Sequence, residues 1–211
     1  MSTFTLLADL AIELHSEDEW ERLIPIASSN PLDVEALQEF DDSFPGPSLS
    51  RIADNRPNAP GTLGIPRWGI TRCEVADRDI FKPLQYCMVD FLCGEIGEIE
   101  WRTRSIVEHS GAHLEGLLKR IGHVPFLPFG DALLRRLKPE IDDVTWGQLQ
   151  RFKTLNNDAK HRYDHPLGTH LFSVEEAVLA YLVARRLGWK LYPLAKLATN
   201  WRFDEDMAFG H

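Results

Sequence analysis

The sequence predicts an all-α helical bundle with a long central helix and an irregular arm rich in proline and glycine. Apolar residues recur at intervals of three and four along most of the 211-residue chain, which is the spacing of one helix face. Serine or threonine followed three residues later by glutamate or glutamine marks several helix starts, and alternating strand patterns are few. Apolar residues make up 44% of the chain and charged residues 26%, proportions typical of a globular protein.

Two short helices are predicted near the N-terminus. Ser16 and Glu19 form a capping-box pattern, which predicts a helix that ends before Asn30. The pair Asn30-Pro31 predicts the start of the second helix, with Pro31 at the first helical position, where its missing N–H has no consequence.

The irregular arm follows these helices. Prolines and glycines are so frequent over residues 44–77 that they exclude long regular elements. Irregular stretches of this length are uncommon in compact domains. We therefore predict an N-terminal region of residues 1–78, made of short helices and the arm, and a helical bundle of residues 79–211.

The longest periodic segment runs from Asp79 to Gly122 and supplies the predicted central helix. It fits either one helix of more than forty residues or two helices joined near Gly94–Gly97. The residues that recur in steps of three and four are Leu92, Ile96, Ile99, Thr103, Ile106, Ser110, His113 and Leu117.

Three further helices are predicted in the second half of the chain. A short one covers Asp131–Leu137. A capping-box pattern at Thr145-Trp146-Gly147-Gln148 opens the next, and a third such pattern at Ser173-Val174-Glu175-Glu176 opens the last, which is predicted to stop at Gly188. The apolar face of the middle helix is predicted to contain Leu149, Phe152, Leu155 or Asn156, Ala159 and Tyr163.

Composition limits the environment and the partners. No apolar run approaches the length needed to span a bilayer, so no membrane segment is expected. The cysteines, Cys73, Cys87 and Cys93, are too few for a disulfide framework and lack metal-ligand spacing, which favours the reducing cytoplasm. The net charge of −9 argues against loose, charge-driven binding to duplex DNA. Residues 119–165 nevertheless carry nine basic and six acidic side chains, so a local anion site stays open.

The segment Asn156–His165 is the densest cluster of ionisable and amide side chains in this basic region. On a helical wheel His161 lies about 180° from Phe152, so we expect it to face solvent or another subunit. Asn156 lies near the apolar stripe, where it can brace a neighbouring helix. An imidazole in this position suits general acid–base catalysis near neutral pH.

The residues Leu155–Gly188 resemble the C-terminal half of HEPN-type helical domains. They read LNNDAKHRYDHPLGTHLFSVEEAVLAYLVARRLG. In that family a helix ends in a turn rich in Asn, Ala and His, and the final helix starts with an FS-x-E-E-A pattern. The segment around Glu98 to Ile121 is similar to the family's first core helix.

The resemblance implies a homodimer that cleaves RNA through an Arg-x4–6-His motif at its interface, in a toxin or defence role. The implied reaction needs no metal or cofactor. Asn156-x4-His161 has the spacing with asparagine in the arginine position, and Lys160-x4-His165 has lysine there. His161 is therefore the predicted catalytic residue, assisted by Asn156, Lys160 or Arg162. The alternative is a non-catalytic helical dimerisation module that lacks the motif.

A metal site is the third interpretation. His109 and His113 form an i, i+4 pair, a spacing that transition-metal sites use, and His161 and His165 form a second pair. Antiparallel packing of the two helices would bring the four imidazoles together. The first pair lacks the HExxH pattern, and His113 lies on the apolar seam, where a core histidine is the commoner outcome.

Overall fold

The computed structural model describes residues 2–44, 75–93, 99–124, 126–161 and 172–198. All regular elements within these ranges are α-helices, so the all-α prediction is confirmed. The irregular arm predicted for residues 44–77 lies almost wholly outside the described residues. The helices are α1 (Thr3–Leu14), α2 (Glu17–Ala27), α3 (Val34–Asp42), α4 (Val75–Cys93), α5 (Ile99–Gly122), α6 (Asp131–Leu137), α7 (Asp143–His161) and α8 (Val174–Leu197).

Helices α5 and α8 lie at the centre of the bundle. They pack along each other, and α5 also contacts α4, α6 and α7, while α8 contacts α1 and α2. Apolar side chains that recur every third or fourth residue on both helices are fully buried, and they join one continuous core. Members of that core include Ile106, Leu114, Leu117, Val178 and Leu182.

The predicted central segment forms two helices. Cys87 on α4 meets Ile106 and Ser110 on α5, whereas Asp90 meets Arg102. Because the later residue of α4 meets the earlier residue of α5, the two helices run antiparallel. The alternative with a break near Gly94–Gly97 is therefore the correct one, and a single continuous helix is wrong.

Two of the three predicted capping boxes are present. In each, the serine at the cap accepts from the backbone N–H of the glutamate, and the glutamate accepts from the serine N–H: Ser16 with Glu19 and Ser173 with Glu176. The prediction at Thr145 is wrong, because Thr145 already lies inside α7. Its backbone N–H donates to the carboxylate of Asp142 at 2.9 Å, so this aspartate, three residues upstream, caps the start of the helix.

Two other predicted helix boundaries are also corrected. The helix predicted to start at Asn30-Pro31 begins at Val34, because the Asp33 carboxylate accepts from the Ala36 N–H at 2.9 Å and forms the cap. The last helix does not stop at Gly188. A Cβ placed on Gly188 would lie 2.0 Å from Nε2 of His113, so this glycine makes room for a buried imidazole inside a continuous helix.

A buried ion pair ties the N-terminal helices to α8. One oxygen of Asp41 on α3 accepts from the Tyr181 hydroxyl at 2.8 Å and from Nε of Arg185 at 3.1 Å. Both charged side chains are almost completely buried. Removal of either partner would leave the other charge buried alone, a change that costs about 3–5 kcal/mol in comparable pairs.

No helix among the described residues is long and apolar enough to cross a membrane.

Candidate functional site

The end of α7 presents His161 to solvent. His161 is the last residue of the helix and its side chain is exposed, as the helical wheel predicts. Asn156, five residues earlier, is completely buried. Five residues turn an α-helix by about 140° beyond one full turn, so the two side chains leave the helix in different directions. The structure therefore does not bring Asn156 and His161 together.

Asn156 packs into a notch on α5. A Cβ placed on Gly111 would lie 2.0 Å from the Asn156 amide oxygen, so only glycine permits this approach. Neither the oxygen nor the nitrogen of the amide has a hydrogen-bond partner among the residues that the structure describes. Asn156 thus braces α7 against α5, as expected from its place near the apolar stripe.

Lys160 lies beside His161 and contacts an acidic partner. Its Nζ is 3.5 Å from a carboxylate oxygen of Glu115 on α5. Glu115 also pairs with Lys119 at 2.6 Å. Burial opposes ionisation of Glu115, but hydrogen bonds from Lys119 and from the Phe129 backbone outweigh it and lower the pKa of the carboxyl. The Lys160 ammonium is therefore next to a carboxylate that stays ionised.

Arg104 is a cation at this helix end that the sequence did not reveal. Nη2 of Arg104 donates to the backbone carbonyl of Lys160 at 3.2 Å, and Nε donates to Glu108 at 3.0 Å. The last carbonyls of a helix lack intrahelical partners and attract cations. Because Arg104 comes from α5, no spacing within the 156–165 segment could have indicated it. The predicted site residue Arg162 lies outside the described residues.

The two histidines of the predicted metal pair on α5 contact different side chains. The His113 imidazole is buried against Gly188 on α8 and lies 5.3 Å from the Phe81 ring. The His109 ring lies 5.3 Å from the Tyr86 ring on α4. The described residues contain no group of three or more side chains that could hold a metal ion. His165, the fourth predicted ligand, falls outside them.

A second polar cluster connects α4 and α5 around Asp90. Its carboxylate accepts from Nη1 of Arg102 at 2.8 Å and from the Ser105 hydroxyl at 3.2 Å. Nδ1 of His109 lies 3.4 Å from the Ser105 oxygen. Burial lowers the pKa of His109, although the Asp90 and Glu108 carboxylates pull in the other direction. The cluster therefore holds an oriented, neutral imidazole near the surface.

These arrangements provide two kinds of chemistry. An exposed imidazole at a helix end that also has two cations can transfer a proton, and an oriented neutral imidazole can accept a hydrogen bond. The resemblance to HEPN domains stays a prediction from the sequence of Leu155–Gly188 and of the segment around Glu98 to Ile121. No protein-family model, curated protein or solved structure matches this chain.

Proposed function

We propose that the protein cleaves RNA without a metal or cofactor, with His161 as the proton-transfer residue. The observation that supports this proposal is the exposed imidazole at the end of α7, with Lys160 and Arg104 at the same helix end. The class of reaction comes from the resemblance of residues 155–188 to HEPN domains. Such an activity suits a toxin or defence component.

The reaction needs one proton removed, one proton supplied and a stabilised phosphate. The RNA 2′-oxygen loses its proton to a neutral imidazole and attacks the adjacent phosphorus. The bond from phosphorus to the 5′-oxygen breaks, a 2′,3′-cyclic phosphate forms, and the 5′-oxygen receives a proton from an imidazolium. Lys160 and Arg104 stabilise the charge that develops on the phosphate.

A homodimer would supply both the general base and the general acid that the reaction needs. One His161 serves as the base, and the His161 of a second copy serves as the acid. Arg104 would exchange its contact with Glu108 for the phosphate, since a guanidinium binds both carboxylates and phosphates through paired N–H donors. Asn156 contributes by packing only, and a role for Arg162 stays a prediction.

The test is cleavage of a single-stranded RNA in the presence of EDTA by the parent and by His161→Ala. Loss of a general acid–base group lowers the rate by about a hundredfold or more, so His161→Ala should be nearly inactive. The matched control is His123→Asn, which changes another exposed histidine and suits the positive φ of 51° at that position. Equal rates for the parent and His161→Ala, or no cleavage by either, would contradict the proposal.

Arg104 provides a second arm of the same test. Arg104→Lys keeps a cation near the helix end, whereas Arg104→Met keeps most of the side-chain bulk and removes the charge. We expect cleavage to fall further in Arg104→Met than in Arg104→Lys. The same order of cleavage rates should appear at low and at high substrate concentration, because the cation stabilises the charge that develops on the phosphate in the transition state.

A second candidate function is a non-catalytic helical dimerisation module. It is favoured by the burial of Asn156, which occupies the position of the family's arginine and cannot reach a substrate. Light scattering after size exclusion measures the mass in solution. A dimer without RNA cleavage supports the module, and a strict monomer excludes both the module and the shared-site mechanism.

A further inference from the structure

The outer face of α5, formed by Trp101, Ser105 and His109, is not used by the proposed reaction at His161. The three residues follow at four-residue intervals, so they lie on one side of the helix over roughly 12 Å. The Trp101 side chain is 60% exposed. His109 is partly exposed at the other end of the face. An indole in solvent and an oriented imidazole therefore lie in line on one surface.

Hydrogen-bond directions fix the tautomer of His109. Arg102 donates to one oxygen of Asp90, so this carboxylate is an acceptor. The hydroxyl of Ser105 gives its single hydrogen to the other oxygen of Asp90. The Ser105 oxygen can then only accept from Nδ1 of His109, 3.4 Å away. The neutral imidazole consequently has its hydrogen on Nδ1 and a lone pair on Nε2.

This chemistry selects a particular kind of ligand. A lone pair on Nε2 requires a donor, and the ribose 2′-hydroxyl is the donor that distinguishes RNA from DNA. An exposed indole stacks on the unpaired bases of single strands. Nη1 of Arg102 already contacts the Asp90 carboxylate, so few phosphates would be neutralised on this face.

We propose that the outer face of α5 binds single-stranded RNA, with a base stacked on the Trp101 indole and a ribose 2′-hydroxyl donating to Nε2 of His109. This inference rests on the proposed function, because it assigns a second binding surface for the RNA that the site at His161 would cleave. Recognition depends on base and ribose contacts more than on phosphate charge. Binding should therefore fall only slightly as salt rises.

The experiment measures binding of fluorescein-labelled single strands by anisotropy, in the His161→Ala background so that RNA is not consumed. The probes are an oligouridine RNA and the matching deoxyuridine DNA. We expect the RNA to bind at least about fivefold more tightly than the DNA. Trp101→Ala should weaken both probes by roughly tenfold, since one stacked base is lost. The control variant is Phe126→Ala, a change at an aromatic side chain that is 86% exposed and lies off α5.

Two substitutions separate recognition by His109 from its structural role. Asn at position 109 can keep the hydrogen bond to Ser105 but lacks the distal acceptor, whereas Gln retains an oxygen near the place of Nε2. His109→Asn should therefore lose the preference for RNA over DNA, and His109→Gln should keep part of it. Equal binding of both probes to the starting protein, or unchanged binding in Trp101→Ala, overturns the inference. So does the absence of binding at 100 µM protein, about the upper end of non-specific dissociation constants.

The two proposals fail separately. If cleavage depends on His161 but Trp101→Ala leaves KM and kcat unchanged, the RNA face on α5 is wrong and the reaction stands. If the anisotropy pattern appears without any cleavage, the reaction is wrong and the binding face stands.

Discussion

Gly111→Ala should destabilise the protein, although alanine is the better helix former. An added Cβ would lie 2.0 Å from the Asn156 oxygen and 2.5 Å from its Cγ. Such an overlap forces α7 away from α5 or forces the amide out of its rotamer, which costs about 3 kcal/mol at the upper end of measured overpacking. The gain in helix propensity from glycine to alanine offsets about 1 kcal/mol of this. The expected net loss in the free energy of unfolding is about 2 kcal/mol.

A double-mutant cycle with Asn156→Ala tests the cause of that loss. The single change Asn156→Ala removes a buried amide without partners, which should stabilise the protein by about 1–3 kcal/mol. It also leaves a small cavity, which should destabilise the protein. In the double variant the overlap with the amide disappears, and only a Cβ–Cβ approach of 3.1 Å remains. We therefore expect the double variant to regain most of the stability lost in Gly111→Ala, with a coupling energy of about 2 kcal/mol.

The assay is urea denaturation followed by far-ultraviolet circular dichroism. Gly116→Ala is the matched control, because this glycine lies on the same helix and an added Cβ meets nothing within 4 Å. It should raise the free energy of unfolding by up to about 1 kcal/mol. Similar stability gains in Gly111→Ala and Gly116→Ala, or additive effects in the cycle, would refute the contact between Gly111 and Asn156.

Two further predictions concern buried histidines. Burial holds the pKa of His15 below its ordinary value of 6.5, so the unfolded chain binds a proton first; stability is full above about pH 6.5 and declines as the pH falls below it. Urea titrations between about pH 7.5 and about pH 5 measure this loss in the free energy of unfolding, which should be smaller for His15→Leu than for the parent. His109 contributes equally to the loss in both proteins. Equal losses would rule out His15 as a source of the pH dependence. Gly188→Ala should lower the stability by about 1–3 kcal/mol, because its Cβ would meet His113 at 2.0 Å. The control Gly147→Ala should raise the stability, because a Cβ added there meets nothing within 4 Å. Melting temperatures that shift in the same direction for Gly188→Ala and Gly147→Ala would contradict the packing at Gly188.

Local sequence signals predicted the helices well and their ends less well. Apolar spacing is a property of one helix, so Leu149, Phe152 and Ala159 were placed correctly on the buried face of α7. Glycine is ambiguous, because it ends helices and also allows close packing within them. At Gly188 the second role applies, and it depends on His113, which lies on another helix. No local pattern around Gly188 contains that information.

The candidate site shows the same division between local and tertiary information. The exposure of His161 follows from the helical wheel alone. The approach of Arg104 to the Lys160 carbonyl joins residues 56 positions apart, and the tautomer of His109 depends on Asp90 from another helix. Both contacts are products of helix packing, so no motif along the chain contains them.

The pairing of Asp41 with Arg185 has a consequence for synthesis on the ribosome. The two residues are 144 positions apart, and the chain emerges with Asp41 first. Helices α1 and α2 therefore remain without their main packing partner, and Asp41 on α3 without its cation, until α8 has left the exit tunnel. Closing so long a loop slows folding and leaves apolar surface exposed in the nascent chain. This bundle is thus expected to close only after α8 has been synthesised, and chaperones can bind the exposed helices until then.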